Sequence, residues 1–158
     1  MIAYAFDIDG VVADVRDRVR VARELSEATG TSFWDLFFSE ELIELDRPRD
    51  VGVRLVRERS RLGCVVVVTG RPRRLREVSL REFADFTGVK PFRIYMRSDR
   101  DFRRSHVVKL ELLSRAFRDG LEVRELHDDS EEVLRAVRNS MPEVRLFLHF
   151  NNEFRPYT

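Results

Sequence analysis

The sequence predicts an α/β domain, and three observations predict it. Five short apolar runs recur along the chain, segments of helical period separate them, and one interval is too long for a simple crossover. The runs are Ile2 to Ile8, Cys64 to Thr69, Phe92 to Met96, Leu121 to His127 and Val144 to Phe150. Their β-branched and aromatic content suits strands buried on both faces of a parallel sheet. A length of 158 residues suits one domain with a sizeable core, and 43% hydrophobic with 36% charged residues excludes a disordered chain. A single domain over 1–158 is expected, a five-stranded parallel sheet with helices on both faces.

The helices follow from spacing and punctuation. After the first strand, Val15, Val19, Ala22 and Leu25 recur at helical spacing until Gly30, and Ser32 followed by Asp35 resembles a capping box that opens a second helix. A break at Asp46-Arg47-Pro48 precedes a third helix through Val53, Val56 and Leu62 to Gly63. Residues 14–60 therefore contain a small helical cap inserted after the first strand. Later helices are predicted from Pro72 to Gly88, from about Val107 through Leu112, and after Asp129 or Ser130 through Val133, Val137 and Met141. The tail, Asn151 to Thr158, reads as surface coil.

Composition excludes several function classes. Net charge is +1, so any basic partner site is local rather than a polybasic tail. Lys90 and Lys109 are the only lysines among 29 basic residues, which makes Lys109 conspicuous wherever it falls near acids. The single cysteine, Cys64, lies in an apolar run and permits neither an internal disulfide nor a multi-thiolate metal site. The start of the chain lacks signal-peptide character and no stretch is long and apolar enough to span a membrane, so a soluble cytoplasmic protein is expected.

The chemistry concentrates at strand ends. Phe6-Asp7-Ile8-Asp9-Gly10 closes the first strand with two carboxylates two residues apart, and Asp128-Asp129 closes the fourth. Gathered at one sheet edge, four carboxylates repel by about 4 kcal/mol per close pair at a near-surface dielectric, which calls for a hard divalent cation, magnesium by its oxygen preference. Thr69-Gly70-Arg71-Pro72 places a hydroxyl and backbone amides at a strand-to-helix turn suited to phosphate, and Lys109 supplies a point cation. Phe33, Trp34, Phe37 and Phe38 are helical neighbours and read as packing rather than as a base-stacking lid, and His106, His127 and His149 read as structural.

In order, Asp7-x-Asp9, Thr69-Gly70-Arg71, Lys109 and Asp128-Asp129 resemble the four motifs of the haloacid dehalogenase (HAD) superfamily, over nearly the whole chain. The resemblance implies a Rossmann-like HAD fold and a magnesium-dependent phosphatase. Asp7 is then the nucleophile that forms an aspartyl-phosphate and Asp9 the general acid and base. Asp7, Asp9 through its backbone carbonyl, Asp128 and, through water, Asp129 are the magnesium ligands. Thr69, Gly70 and Lys109 are the groups on the transferred phosphoryl oxygens. A carboxylate at Asp9 favours phosphatase over dehalogenase chemistry; Val11 stands where the superfamily's phosphatases often have threonine.

The stretch Met96 to Asp101 followed by Val107-Val108-Lys109, with Asp7 to Ala13 and Arg18 beyond, is similar to the 3′-phosphatase domain of bacteriophage polynucleotide kinase/phosphatase. That resemblance implies a nucleic acid end or a nucleotide as the phosphomonoester, with Arg18, Arg71 and Arg97 contacting or orienting the phosphate or its neighbouring backbone. Arg73, Arg74 and Arg76 read as surface. The match departs at Ser105-His106, where the family carries an acid. Two other readings stay open: a phosphatase for small metabolites or 5′-nucleotides, and a phosphate-binding domain that turns nothing over.

Overall fold

The computed structural model describes residues 1–158. In chain order its elements are β1 (Ile2–Phe6), β2 (Ala13–Asp14), α1 (Arg16–Thr29), α2 (Phe33–Phe37), α3 (Glu40–Ile43), β3 (Arg47–Pro48), α4 (Asp50–Ser60), β4 (Cys64–Pro72), α5 (Arg76–Thr87), β5 (Arg93–Arg97), α6 (Ser105–Arg118), β6 (Glu122–Asp128), α7 (Glu131–Ser140), β7 (Arg145–Phe150) and β8 (Glu153–Pro156). Six strands form the main sheet in the order β5-β4-β1-β6-β7-β8, parallel except for β8. From β1 the chain moves outward through β4 to β5, then crosses back to β6 and β7. Connections therefore leave β1 and β6 in opposite directions, and the ligand crevice of such a sheet opens at their carboxyl ends.

Alternation along β1 builds both cores. Ala3 and Ala5 face a cluster with Val108, Leu112, Leu113, Val133, Leu134 and Val137 of α6 and α7. Tyr4 and Phe6 face the opposite cluster, with Val53, Leu55 and Val56 of α4 and Phe83 of α5. The uninterrupted apolar stretches Ile2–Phe6 and residues 64–68 are thus required by a sheet covered on two sides. No helix is long and apolar enough to cross a membrane.

The five expected strands are present, and the structure adds a sixth. The tail expected as coil turns at Asn151, with φ 51°, and returns as β8 antiparallel to β7. Asparagine tolerates that left-handed turn, and the fully exposed strand shows no apolar pattern by which to be recognised. Two local expectations also fail. Ser32 precedes α2 without a side-chain capping bond, and Leu62 lies beyond the end of α4, exposed. The α5 segment opens with a 3-10 turn, Arg73–Leu75, because β4 runs on to Pro72.

The insertion is clasped by the antiparallel ribbon of β2 and β3, with α1, α2 and α3 between them. Helix α4 lies on the sheet and approaches the loop after Asp9 closely: a Cβ on Gly52 would sit 1.8 Å from the Val11 carbonyl oxygen. Buried Arg49 ties these parts together. Its Nη1 donates to Val11 O at 3.0 Å, its Nε to Asn151 O at 2.9 Å and its Nη2 to Glu153 O at 2.6 Å.

Arg49 Nη1 also meets His149 Nδ1 at 2.8 Å, and His149 Nε2 meets His127 Nδ1 at 2.9 Å. Arginine only donates, so His149 accepts at Nδ1 and donates from Nε2, which leaves the His127 proton on Nε2. That atom lies 3.6 Å from Glu125, longer than a hydrogen bond, and Arg59 holds Glu125 from the other side at 2.7 Å. Burial, then the neighbouring His127 and Arg49, push His149 down to about 2, so it is neutral. His127 is stacked between Phe6 and Phe147, with ring centroids 4.4 and 4.8 Å away. Both histidines are parts of the frame behind the carboxyl ends of β1 and β6.

Replacing Arg49 with alanine strands three carbonyls and the His149 nitrogen. Stability is expected to fall by about 3 kcal/mol, read as a lower midpoint in urea unfolding, with β8 among the first segments to lose hydrogen-exchange protection.

Candidate active site

Asp7 continues the β1 ladder by one bond: its N–H donates to His127 O at 3.0 Å, which sets it beside Asp128 at the end of β6. Lys109, on the second turn of α6, reaches between the two carboxylates. Its Nζ lies 2.7 Å from Asp7 Oδ2 and 2.6 Å from Asp128 Oδ2, and all three side chains are buried. The other oxygens are also engaged, Asp7 Oδ1 by the Ile8 N–H at 2.8 Å and Asp128 Oδ1 by the Ser130 N–H at 2.9 Å. Ser130 itself caps α7 through the Val133 N–H. The acid pair is therefore separate from the helix cap that follows it.

Carboxylate oxygens of Asp7, Asp128 and Asp129 all lie within 4.8 Å of one another. Burial raises the Asp7 carboxyl to about 7, with Lys109 opposing and Asp128 and Asp9 adding. Protein packed around the carboxyl, then Asp128 and Asp7, push Asp129 up as well, although that residue reaches the exposed mouth. Lys109 is held charged by Asp128 and Asp7 although burial alone disfavours the ammonium. One lysine does not neutralise three carboxylates. The remaining charge, the all-oxygen donor set and their spacing fit a hard divalent cation such as magnesium. Gly10 makes room for this arrangement: its φ is +81° and a Cβ there would lie 2.1 Å from Asp129 Oδ2.

Asp9 is turned away from that set. Arg18 Nη2 meets its Oδ1 at 2.5 Å and Arg71 Nη2 at 2.7 Å. Although burial favours the neutral acid, Arg71 and then Arg18 outweigh it and bring Asp9 down to about 2. Both arginines are fully buried, and their remaining donors go to protein groups. Arg18 binds Asp46 at 3.0 Å and Phe37 O at 3.1 Å, and Arg71 binds Glu82 at 2.7 Å and Ser79 at 3.0 Å. The structure thus puts Arg18 and Arg71 on Asp9, with no exposed surface toward the crevice.

Asp46 and Glu82, which belong to no motif of the sequence, complete this cluster through Arg71. Glu82 was detectable as an acid four residues after Val78 on the inward face of α5, whereas Asp46 beside a chain break looked like turn chemistry. Burial and a hydrogen bond with Glu82 raise Asp46 to about 8, so at neutral pH it keeps a proton. Two guanidinium groups are thus shared among Asp9, Asp46 and Glu82.

The phosphate turn is a bulge. Pairing of β4 with β5 jumps from Thr69↔Met96 to Pro72↔Arg97, which pushes Gly70 and Arg71 out of the ladder. Thr69 Oγ1 accepts the Arg71 N–H at 3.1 Å. Arg97 fastens this turn to the following loop, donating from Nε to Gly70 O at 2.9 Å and from Nη1 to Asp101 O at 2.9 Å and Arg103 O at 2.6 Å. Ser105 Oγ borders the same turn, 3.9 Å from where a Gly70 Cβ would be. Of the aromatic stripe, Phe37 is buried over the Arg18 guanidinium, while Trp34 is exposed.

A family-wide sequence model, described as the polynucleotide kinase PNKP phosphatase domain, matches residues 35–146. This chain belongs to that family. It is therefore a phosphatase with the Rossmann-like HAD fold. Among solved structures it is similar to chains in the structure of the Pnkp1/Rnl/Hen1 RNA repair complex (18% identity, TM-score 0.66, 93% of this chain and 42% of that one). It also resembles a haloacid dehalogenase-like hydrolase from Streptococcus pneumoniae (16%, TM-score 0.61, 91% and 82%). A third is a HAD-superfamily hydrolase from Geobacter sulfurreducens (18%, TM-score 0.60, 92% and 88%). The chain spans less than half the length of the repair-complex chain it matches. No curated protein matches it.

The raised Asp7 and Asp129 carboxyls make a linkage prediction. Unfolded, they ionise near pH 4; folded, they hold protons longer, so without metal their contribution to stability is present in acid and lost as pH rises toward 7. A divalent ion compensates only once they are ionised. Millimolar magnesium is expected to raise the melting temperature by several degrees at pH 7.5 and by little at pH 5, checked by scanning calorimetry.

Proposed function

We infer that this chain is a magnesium-dependent phosphomonoesterase acting through an aspartyl-phosphate on Asp7, with a polynucleotide 3′-phosphate as substrate. The observation that carries the reading is Lys109 Nζ bridging Asp7 and Asp128 beside Asp129 at the switch point of the sheet. Asp7, Asp128 and Asp129, with the Asp9 backbone carbonyl, would hold the ion, which when bound neutralises charge on the carboxylates and the phosphoryl oxygens.

In the first step an Asp7 carboxylate oxygen attacks phosphorus, the P–O ester bond breaks, and the leaving oxygen takes a proton from Asp9. In the second, water attacks the aspartyl-phosphate, its proton passes to Asp9, and inorganic phosphate leaves. The arginine clamp keeps resting Asp9 ionised, as the second step needs. A phosphate dianion entering beside it raises its proton affinity by like-charge repulsion, so Asp9 takes up a proton from solvent before the first step and passes that proton to the leaving oxygen. Lys109 and Thr69, with the backbone at Gly70, stabilise the transferred group. In this reading Arg18 and Arg71 orient Asp9, and Arg97 orients the backbone of the phosphate turn.

The substrate assignment is supported by family membership and by the stretch from Met96 to Asp101 that leads to Lys109. A cytosolic setting suits a chain whose one cysteine is free.

Phosphate release with magnesium tests the reading across 3′-phosphorylated oligonucleotides, 5′-phosphorylated oligonucleotides and free nucleotides. The 3′-ended oligonucleotides are expected to give the highest kcat/KM. Asp7→Asn is expected to lower kcat by about four orders of magnitude or more, and Asp9→Asn by about two to four. A preference for free nucleotides would move the assignment to small metabolites, and no release from any monoester would leave only a phosphate-binding role.

A further inference from the structure

Two loops with no part in this chemistry meet beside the phosphate turn and form a basic strip. The turn after β4 carries Arg73 and Arg74, and the loop between β5 and α6 carries Arg100, Phe102, Arg103 and Arg104, all exposed. They are docked on one another: the Arg74 N–H donates to Asp99 Oδ1 at 2.8 Å, and Arg97 links Gly70 O to the Asp101 and Arg103 carbonyls. Side chains distant in sequence therefore lie on one surface that begins at Gly70.

The acids of this strip are already committed. Asp101 and Glu111 each hold Arg103 at 2.7 Å, and Asp99 caps the Arg74 backbone. Glu132 lies 3.6 Å from Arg104. Arg73, Arg74 and Arg100 form no ion pair, so three guanidinium groups face solvent against the single unpaired carboxylate of Asp99, which bonds only the Arg74 backbone. Among them Phe102 is 88% exposed, the most exposed large apolar side chain in the molecule. A lone exposed ring means little; one set among unpaired arginines beside an anion turn is the arrangement that takes single-stranded nucleic acid, cations for phosphodiesters and a ring for a base.

We propose that this strip seats the nucleotides leading up to the 3′ end, with phosphodiesters along Arg73, Arg74 and Arg100 and a base stacked on Phe102. The proposal rests on the reading of the site as a polynucleotide 3′-phosphatase and adds the path of the strand. The reacting phosphate lies at Gly70, and the chain behind it runs over the loops that border Gly70.

The test compares the parent with the triple variant R73Q/R74Q/R100Q and with Phe102→Ala on three substrates: a 3′-phosphorylated single strand of about ten nucleotides, a 3′-mononucleotide and p-nitrophenyl phosphate. On the oligonucleotide the triple variant is expected to raise KM about tenfold and to make the slope of log(1/KM) against log salt shallower by about 2. Phe102→Ala is expected to raise KM about five- to tenfold and to leave that slope unchanged. The two short substrates, which do not reach the strip, keep the parent's constants. If both variants match the parent on the oligonucleotide, the strip is only a solvated face and the polynucleotide phosphatase stands without it. An equal loss on all three substrates would place these residues in the fold rather than in a strand contact, and would overturn the proposal. If the parent itself prefers the mononucleotide, the polynucleotide reading and the strand path fall together.

Discussion

The rest of the structure depends on holding three carboxylates at one point of the sheet. Parallel pairing of β1 with β6 brings Asp7 beside Asp128, and the following residue adds Asp129. At a separation of about 4 Å and a near-surface dielectric, each like-charged pair costs about 4 kcal/mol, close to the whole margin of a small domain. Lys109 relieves part of this by bridging Asp7 and Asp128. The incomplete neutralisation leaves negative charge that a hard cation could offset, and in the proposed function that cation and Lys109 share the charge of the phosphoryl group.

A second charge cluster solves a different problem. Asp9 sits two residues from Asp7 without its side chain joining the three-carboxylate set, because the two buried guanidinium groups draw it the other way. Burying two arginines is costly unless they are paired, and Asp9, Asp46 and Glu82 pair them. The five residues come from the loop after β1, the insertion, the end of β4 and the sheet-covering helix α5, so this cluster also fixes where the insertion sits.

Much of the architecture was legible because it rests on short-range pattern. Short runs rich in apolar residues gave the five parallel strands, and acids at the ends of two of them gave the site. What could not be read depends on distant partners. That Arg18 and Arg71 would face Asp9 instead of the crevice requires Asp46 and Glu82, which approach only through the fold. Strand β8 was missed because its stability comes from pairing with β7 and from the carbonyls held by Arg49, while its own residues are exposed. Arg73 and Arg74 read as ordinary surface, since nothing in the sequence places them against the loop that carries Phe102.

The insertion's attachment bears on how a substrate enters. Arg18 lies on α1 with the Phe37 ring 4.2 Å from its guanidinium carbon, and it bonds both Asp9 and Asp46. Swinging the insertion outward would pull the fully buried Arg18 guanidinium from Asp9 and Asp46 from the buried Arg71, separations that cost several kcal/mol because the charges left behind stay desolvated. An insertion pinned in this way acts as a fixed wall on the Asp9 side of the crevice. On the proposed reading, access then falls to the side bounded by the β4 bulge and the β5–α6 loop, the side over which the proposed strand would run to its 3′ end.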